Sequence, residues 1–102
     1  MKFNHLKKEH SLNKILRKQK AQNSDIKILF VSLWDSFSKA LLENIEEAPD
    51  SDQELYVVDS YNMPHSFVIF NSTKLPHLVS MKGRRVRSED YLSRIYKDLE
   101  LV

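Results

Sequence analysis

The chain's 102 residues make one domain, residues 1–102, long enough to bury a real core, and 16 basic against 14 acidic side chains leave a net charge of only +2. No run approaches the ~18 apolar residues of a membrane span, and the opening "MKFNHLKKEH" has no apolar signal core, so no membrane contact and a cytoplasmic location are expected. The absence of cysteine excludes disulfides, thiolate chemistry and cysteine-ligated metals together.

"KFNHL" suits a short edge strand, with Phe3 and His5 alternating against Asn4. "HSLNKILRKQKA" reads as a helix: Leu12, Ile15 and Leu16 form an i, i+3, i+4 stripe and the remaining faces are basic. "QNSD" breaks it. "IKILFVSLW" is rich in β-branched and aromatic residues and almost continuously apolar, which suits a central strand covered on both faces. "SFSKALLENIEE" turns helical again, with Leu41, Leu42 and Ile45 buried and Ser36 or Asp35 as N-cap. "APDSDQ" is a loop, and "ELYVVD" is another apolar strand.

"SYNMPHSFVIFNSTK" is ambiguous: Pro64 suits the first turn of a short helix that Asn71 would stop, whereas "FVIF" alone suits a strand. "LPHLVSM" is a strand that begins at a proline, "KG" turns it, and "RRVR" is a brief partner strand. Ser88 is expected to cap a final helix with Glu89 and Asp90 in its first turn, complementing the dipole, and with Tyr91, Leu92, Ile95, Tyr96 and Leu99 on its buried face. Strands alternating with helices in this order demand an α/β sheet with parallel members and right-handed crossovers, closed by a hairpin. A lone Gly83 excludes a glycine-rich phosphate loop.

Charge is unevenly placed along the chain. Residues 1–24 carry seven basic side chains against Glu9 alone, residues 43–54 carry six acidic side chains and no basic one, and "MKGRRVR" is a second basic knot. His5, His10, His65 and His77 lack a shared i, i+4 ligand spacing, so no metal is expected even with Asp35 or Asp59 enlisted. Ser36 or Ser38 with His77 and Asp59 has no nucleophile-elbow frame for a hydrolytic triad.

The order of elements and several local motifs resemble the thioredoxin superfamily. Family members carry W-C-G-P-C-K between the second strand and second helix, and this chain carries W-D-S-F-S-K, Trp34 to Lys39. "VVDSYNMP" resembles the family's third strand and helix-starting proline, "TKLPHLVSMKG" its cis-proline strand and turn, and "HLKKEHSLNKIL" its first strand and helix. The resemblance implies a three-layer α/β/α sandwich on a mixed central sheet of four or five strands with three or four helices. It also implies a cis bond before Pro76, leaving the backbone of Leu75 open to an extended peptide.

The motif departs from the family where the chemistry lies. Asp35 and Ser38 stand at the two cysteine positions, and neither can attack or resolve a disulfide. Leu29 stands where the family keeps a buried acid. Glu43 replaces the kinking proline of the second helix, so that helix is expected to be straighter, and the glycine-bearing loop after the last strand is missing.

The expected function is therefore a redox-inactive binding or adaptor module, not an enzyme, with no cofactor and no small-molecule substrate. It would meet a protein partner through Trp34, Asp35, Ser36, Phe37 and Ser38 together with Leu75, Pro76 and His77. One rival is a nucleic-acid-binding or polymerase-associated accessory protein that uses the basic helix and Arg84, Arg85 and Arg87. Tyr61, Tyr91 and Tyr96 would be its stacking residues, although two of them fall on the last helix's buried stripe. A structural subunit of a larger assembly is the third reading.

Overall fold

The computed structural model describes residues 1–50, 52–70, 72 and 74–101. The elements run β1 (Asn4–Leu6), α1 (Glu9–Gln22), β2 (Asp25–Val31), α2 (Ser36–Glu47), β3 (Leu55–Asp59), α3 (Pro64–Ile69), β4 (His77–Lys82), β5 (Arg85–Glu89) and α4 (Leu92–Asp98). The five strands form one sheet in the order β1-β3-β2-β4-β5. β3 is parallel to both β1 and β2, whereas β4 is antiparallel to β2 and to β5.

β2 occupies the middle for the reason its composition suggests. Ile28, Leu29, Phe30 and Val31 have no exposed surface, and strand geometry sends alternate residues to opposite faces. Leu29 and Val31 join Val57, Leu78, Leu41 and Ile45 of α2, Ile95 of α4, and Leu99 just after that helix. Ile28 and Phe30 join Val58, Val79 and Met81, Leu12 of α1, and Phe67 of α3. Helices therefore cover both faces, α2 and α4 on one and α1 and α3 on the other. Phe30 anchors the second core through an edge-on contact with Phe67 (5.1 Å between centroids) and a tilted one with Phe70 (5.2 Å).

The structure resolves the ambiguous segment after β3 as a helix. Pro64 sits at its first position, where a missing N–H costs nothing. Asn71, the expected stop, lies outside the described residues. Three expectations need correction. β2 ends at Val31, not Trp34, because its ladders run only to Val31↔Asp59 and Phe30↔His77; beyond them the chain turns, with Asp35 N–H donating to Ser32 O (3.1 Å).

Ser88 does not cap the last helix. Pairing of Glu89 with Leu78 carries β5 through Ser88, and α4 starts only at Leu92 after Tyr91. Glu89 still serves that helix end: its carboxylate accepts from the N–H groups of Asp90 (3.2 Å) and Tyr91 (3.4 Å) and faces Arg94 at 3.7 Å. Tyr91 is not on the buried face. It is 60% exposed, with the Arg94 guanidinium 5.1 Å from its ring centre. Ile95 and Leu99 are the core residues, with Tyr96 packed against them.

α1 is tied to the β4–β5 hairpin by one buried side chain. Gln19 Nε2 donates to Ser24 O (2.9 Å) and to Gly83 O (2.7 Å). Gly83 takes φ +61°, and a Cβ there would stand 3.2 Å from Asn23 Oδ1, so helix end and hairpin turn are in direct contact. Gln19→Ala leaves both carbonyls short of a donor and is expected to lower stability by about 2 kcal/mol, measured by urea unfolding.

Candidate functional site

The residues singled out in the sequence meet at one end of the sheet, where β2 and β3 finish and β4 begins. Phe30 pairs with His77 across the antiparallel ladder, so the chain through Leu75 and Pro76 approaches the end of β2, where Ser32–Asp35 turn into α2. The Leu75–Pro76 peptide bond is cis, as the resemblance implied.

The side chains of Ser32, Asp35 and Ser38 are spent on the loop itself. Asp35 is the N-cap of α2: its Oδ2 accepts from Ser38 N–H at 2.8 Å, while its own carbonyl accepts from Lys39 N–H at 3.0 Å. Ser38 is fully buried, and its Oγ accepts from Ser32 N–H at 3.3 Å. Ser32 Oγ in turn accepts from Trp34 N–H at 3.3 Å. The hydroxyl of Ser38 thus faces its own domain, not a partner.

What the loop presents outward is apolar. Trp34 is 82% exposed and Phe37 60% exposed, with Ser36 exposed between them. Two neighbours escaped sequence reasoning. Leu33 is partly exposed beside Trp34, and Tyr61 stands out from the β3–α3 turn, which is fastened to β2 by Ser60 N–H donating to Val31 O (3.1 Å). No pattern in the sequence marks Tyr61 as part of this end, because only strand order places the two turns side by side. Leu75 is half-buried and Pro76 buried.

His77 belongs to the core. It is buried, its ring lies 5.9 Å from that of Phe30, and its Nδ1 shares a 2.6 Å hydrogen bond with Ser72 Oγ. Burial lowers its pKa below the ordinary histidine value, an effect that Asp90 opposes only in part.

A second buried polar cluster closes the other side of this end. Asp59, with no exposed surface, accepts from His5 Nε2 (2.6 Å), Asn62 N–H (2.8 Å) and Asn62 Nδ2 (2.8 Å). Burial alone would push its carboxyl upward, but the Asn62 and His5 hydrogen bonds outweigh it and hold the pKa below the usual range. The parallel register His5↔Val57 and Leu6↔Val58 brings His5 to Asp59. The triad residues are therefore dispersed: Asp59 is held by His5, His77 by Ser72 and Ser38 by Ser32. Among the described residues no three of His, Asp and Glu are grouped for a metal ion. A cleft of about 890 Å³ opens at the opposite end of the sheet, beside Lys27, Lys82, Arg85 and Asp98; the Trp34 end is a projecting surface.

Several solved thioredoxins share this architecture. A thioredoxin of Nicotiana alata superposes with a TM-score of 0.79 at 14% identity, over 96% of this chain and 90% of that one. A Schistosoma mansoni thioredoxin gives 0.77 at 16% identity, over 97% and 94%. Thioredoxin O2 of Arabidopsis thaliana in the oxidised state gives 0.73 at 20% identity, over 98% and 93%. The fold is thioredoxin-like. No protein-family model and no curated protein sequence matches the chain. Within this thioredoxin-like fold, Leu29 is fully buried among Val57, Leu78 and Leu41, so a carboxylate in its place would lose hydration without gaining an ionic partner.

Two pH effects follow. Because the folded Asp59 carboxyl lies below its unfolded value of about 3.9, its contribution is complete above that pH and disappears as pH falls through the folded pKa. Asp59→Asn is expected to cost about 2 kcal/mol at neutral pH, and the gap from wild type should close only below about pH 4; urea melts across the acid range measure it. For His77, an unfolded chain takes up a proton below about pH 6.5 that the folded chain refuses. Stability should therefore fall as pH drops below that value, and His77→Gln should flatten this part of the thermal-melting profile.

Proposed function

We propose that the chain is a redox-inactive, thioredoxin-like protein-binding or adaptor module of the cytoplasm, with W-D-S-F-S-K standing where the family has its redox motif. The observation that carries this reading is the exposure of Trp34 and Phe37 on a loop that Ser32, Asp35 and Ser38 hold by internal hydrogen bonds. A loop held by its own hydrogen bonds loses little conformational entropy on docking, and exposed aromatics are the side chains that supply most binding energy at protein interfaces. Thiol–disulfide exchange needs an attacking thiolate and a resolving thiol, and a chain without cysteine supplies neither.

The partner surface in this reading is Trp34, Ser36 and Phe37 at the centre, with Asp35 at the rim and the Leu75 backbone alongside. Ser38, Pro76 and His77 act beneath it by holding the loop and the start of β4. The partner is a protein presenting an extended apolar segment, which the Leu75 backbone can pair with and the aromatics can cover.

Trp34 is the one tryptophan of the chain and reports on its own surface. Extended peptides with an apolar centre should shift its fluorescence to the blue and shield it from acrylamide. Phe37→Ser and Leu75→Asp should each weaken that response by about tenfold, in line with the loss of an interface anchor. An unchanged response in both variants would remove this face from consideration, and catalysed insulin reduction by dithiothreitol would overturn the redox-inactive half.

A further inference from the structure

The fold sorts the uneven charge of the chain onto opposite faces of the sheet. α1 packs Leu12, Ile15 and Leu16 against the Ile28–Phe30 core, whereas α2 packs Leu41 and Ile45 against the Leu29–Val31 core. The basic outer side of α1 thus lies on one face, and Glu43, Glu46 and Glu47 of α2 lie on the other. The tie from Gln19 to Gly83 then sets the hairpin turn, with its exposed Arg84, against the last turn of α1. Two basic segments far apart in the chain become one surface.

Lys14, Arg17, Lys18, Lys20 and Arg84 are all exposed, and none of them forms an ion pair among the described residues. Glu9, in the first turn of α1, is the only acidic residue of that helix. We propose that this surface binds the phosphate backbone of duplex nucleic acid without reading its sequence. The α1 cations rise about 9 Å along the helix from Lys14 to Lys20, and duplex DNA carries one negative charge per ~1.7 Å of its axis, so each cation can face a separate phosphate. The exposed aromatics Trp34, Phe37, Tyr61 and Tyr91 all lie off α1 and the hairpin. Among the described residues the basic face therefore offers only the small ring of His10 for stacking unpaired bases, and a duplex is favoured over a single strand. This inference rests on a different surface from the one assigned to protein binding and is independent of it.

Fluorescence anisotropy with a labelled duplex of about 20 base pairs, titrated at several salt concentrations, tests it. Affinity should be micromolar at low salt, indifferent to scrambling of the sequence, and fall with a log–log salt slope of about −4.5, as five phosphate contacts dictate. Arg17→Glu/Lys18→Glu should weaken binding at least about tenfold, and Lys39→Glu/Lys97→Glu, which changes net charge equally on other elements, by less than about threefold. Both pairs are exposed, and circular dichroism checks that each variant folds. Absence of binding at low salt, a flat salt slope, or equal losses in the two variants would overturn the proposal. Tighter binding to poly-glutamate than to the duplex would assign the face to an acidic protein instead.

Discussion

The second half of strand β2 has water on neither side. Ile28 through Val31 are completely buried, and the strand joins the parallel half of the sheet to the antiparallel half. Its even-numbered side chains belong to one hydrophobic core and its odd-numbered ones to the other. A slip of one residue would exchange the two sets and place Lys27 where Ile28 packs, so the register is strongly fixed. Both helical layers, and the end of the sheet from which Trp34 projects, take their positions from this strand.

At that end the molecule separates holding from presenting. Asp35, Ser32 and Ser38 form a closed set of hydrogen bonds around the first turn of α2. Asp59, His5 and Asn62 form another at the end of β3, and His77 with Ser72 a third at the start of β4. Each satisfies polar groups that burial would otherwise penalise. What they leave facing solvent is aromatic. In a thioredoxin-like fold without cysteine, Asp35 and Ser38 have structural work, and Leu29 adds to the core that a carboxylate would disturb.

The sheet also acts as a divider of charge. The overall balance of +2 conceals a molecule with lysine and arginine along α1 on one side and glutamate along α2 on the other. Such a separation creates a field that a net charge does not describe, and it orients charged partners as they approach. The Gln19 link matters here beyond stability, because it brings Arg84 to the basic side of the molecule.

Most of the architecture was legible from residue patterns. The apolar run of β2 and the stripes of α1 and α2 are local signals that the tertiary structure has no reason to override, whereas Pro64 and "FVIF" pull in opposite directions and only packing selects the helix. The last helix was misread because Ser88, Glu89 and Asp90 make a good capping sequence in isolation. Pairing with β4 then supplied hydrogen bonds that kept Ser88 in a strand, and the start of the helix moved to Leu92. Trp34 and Phe37 are exposed on the loop that the motif marks, whereas the burial of Ser38 and His77 was not legible, since burial depends on what packs from elsewhere in the chain. Residue patterns were enough for the order of the elements, for the type of all but the segment after β3, and for the lack of any thiol, because periodicity and composition are local properties. Folding was needed to bring His5 to Asp59, the turn of Ser60 to the end of β2, and the Gly83 turn to α1, because strand order and crossovers join residues that share no neighbourhood along the chain.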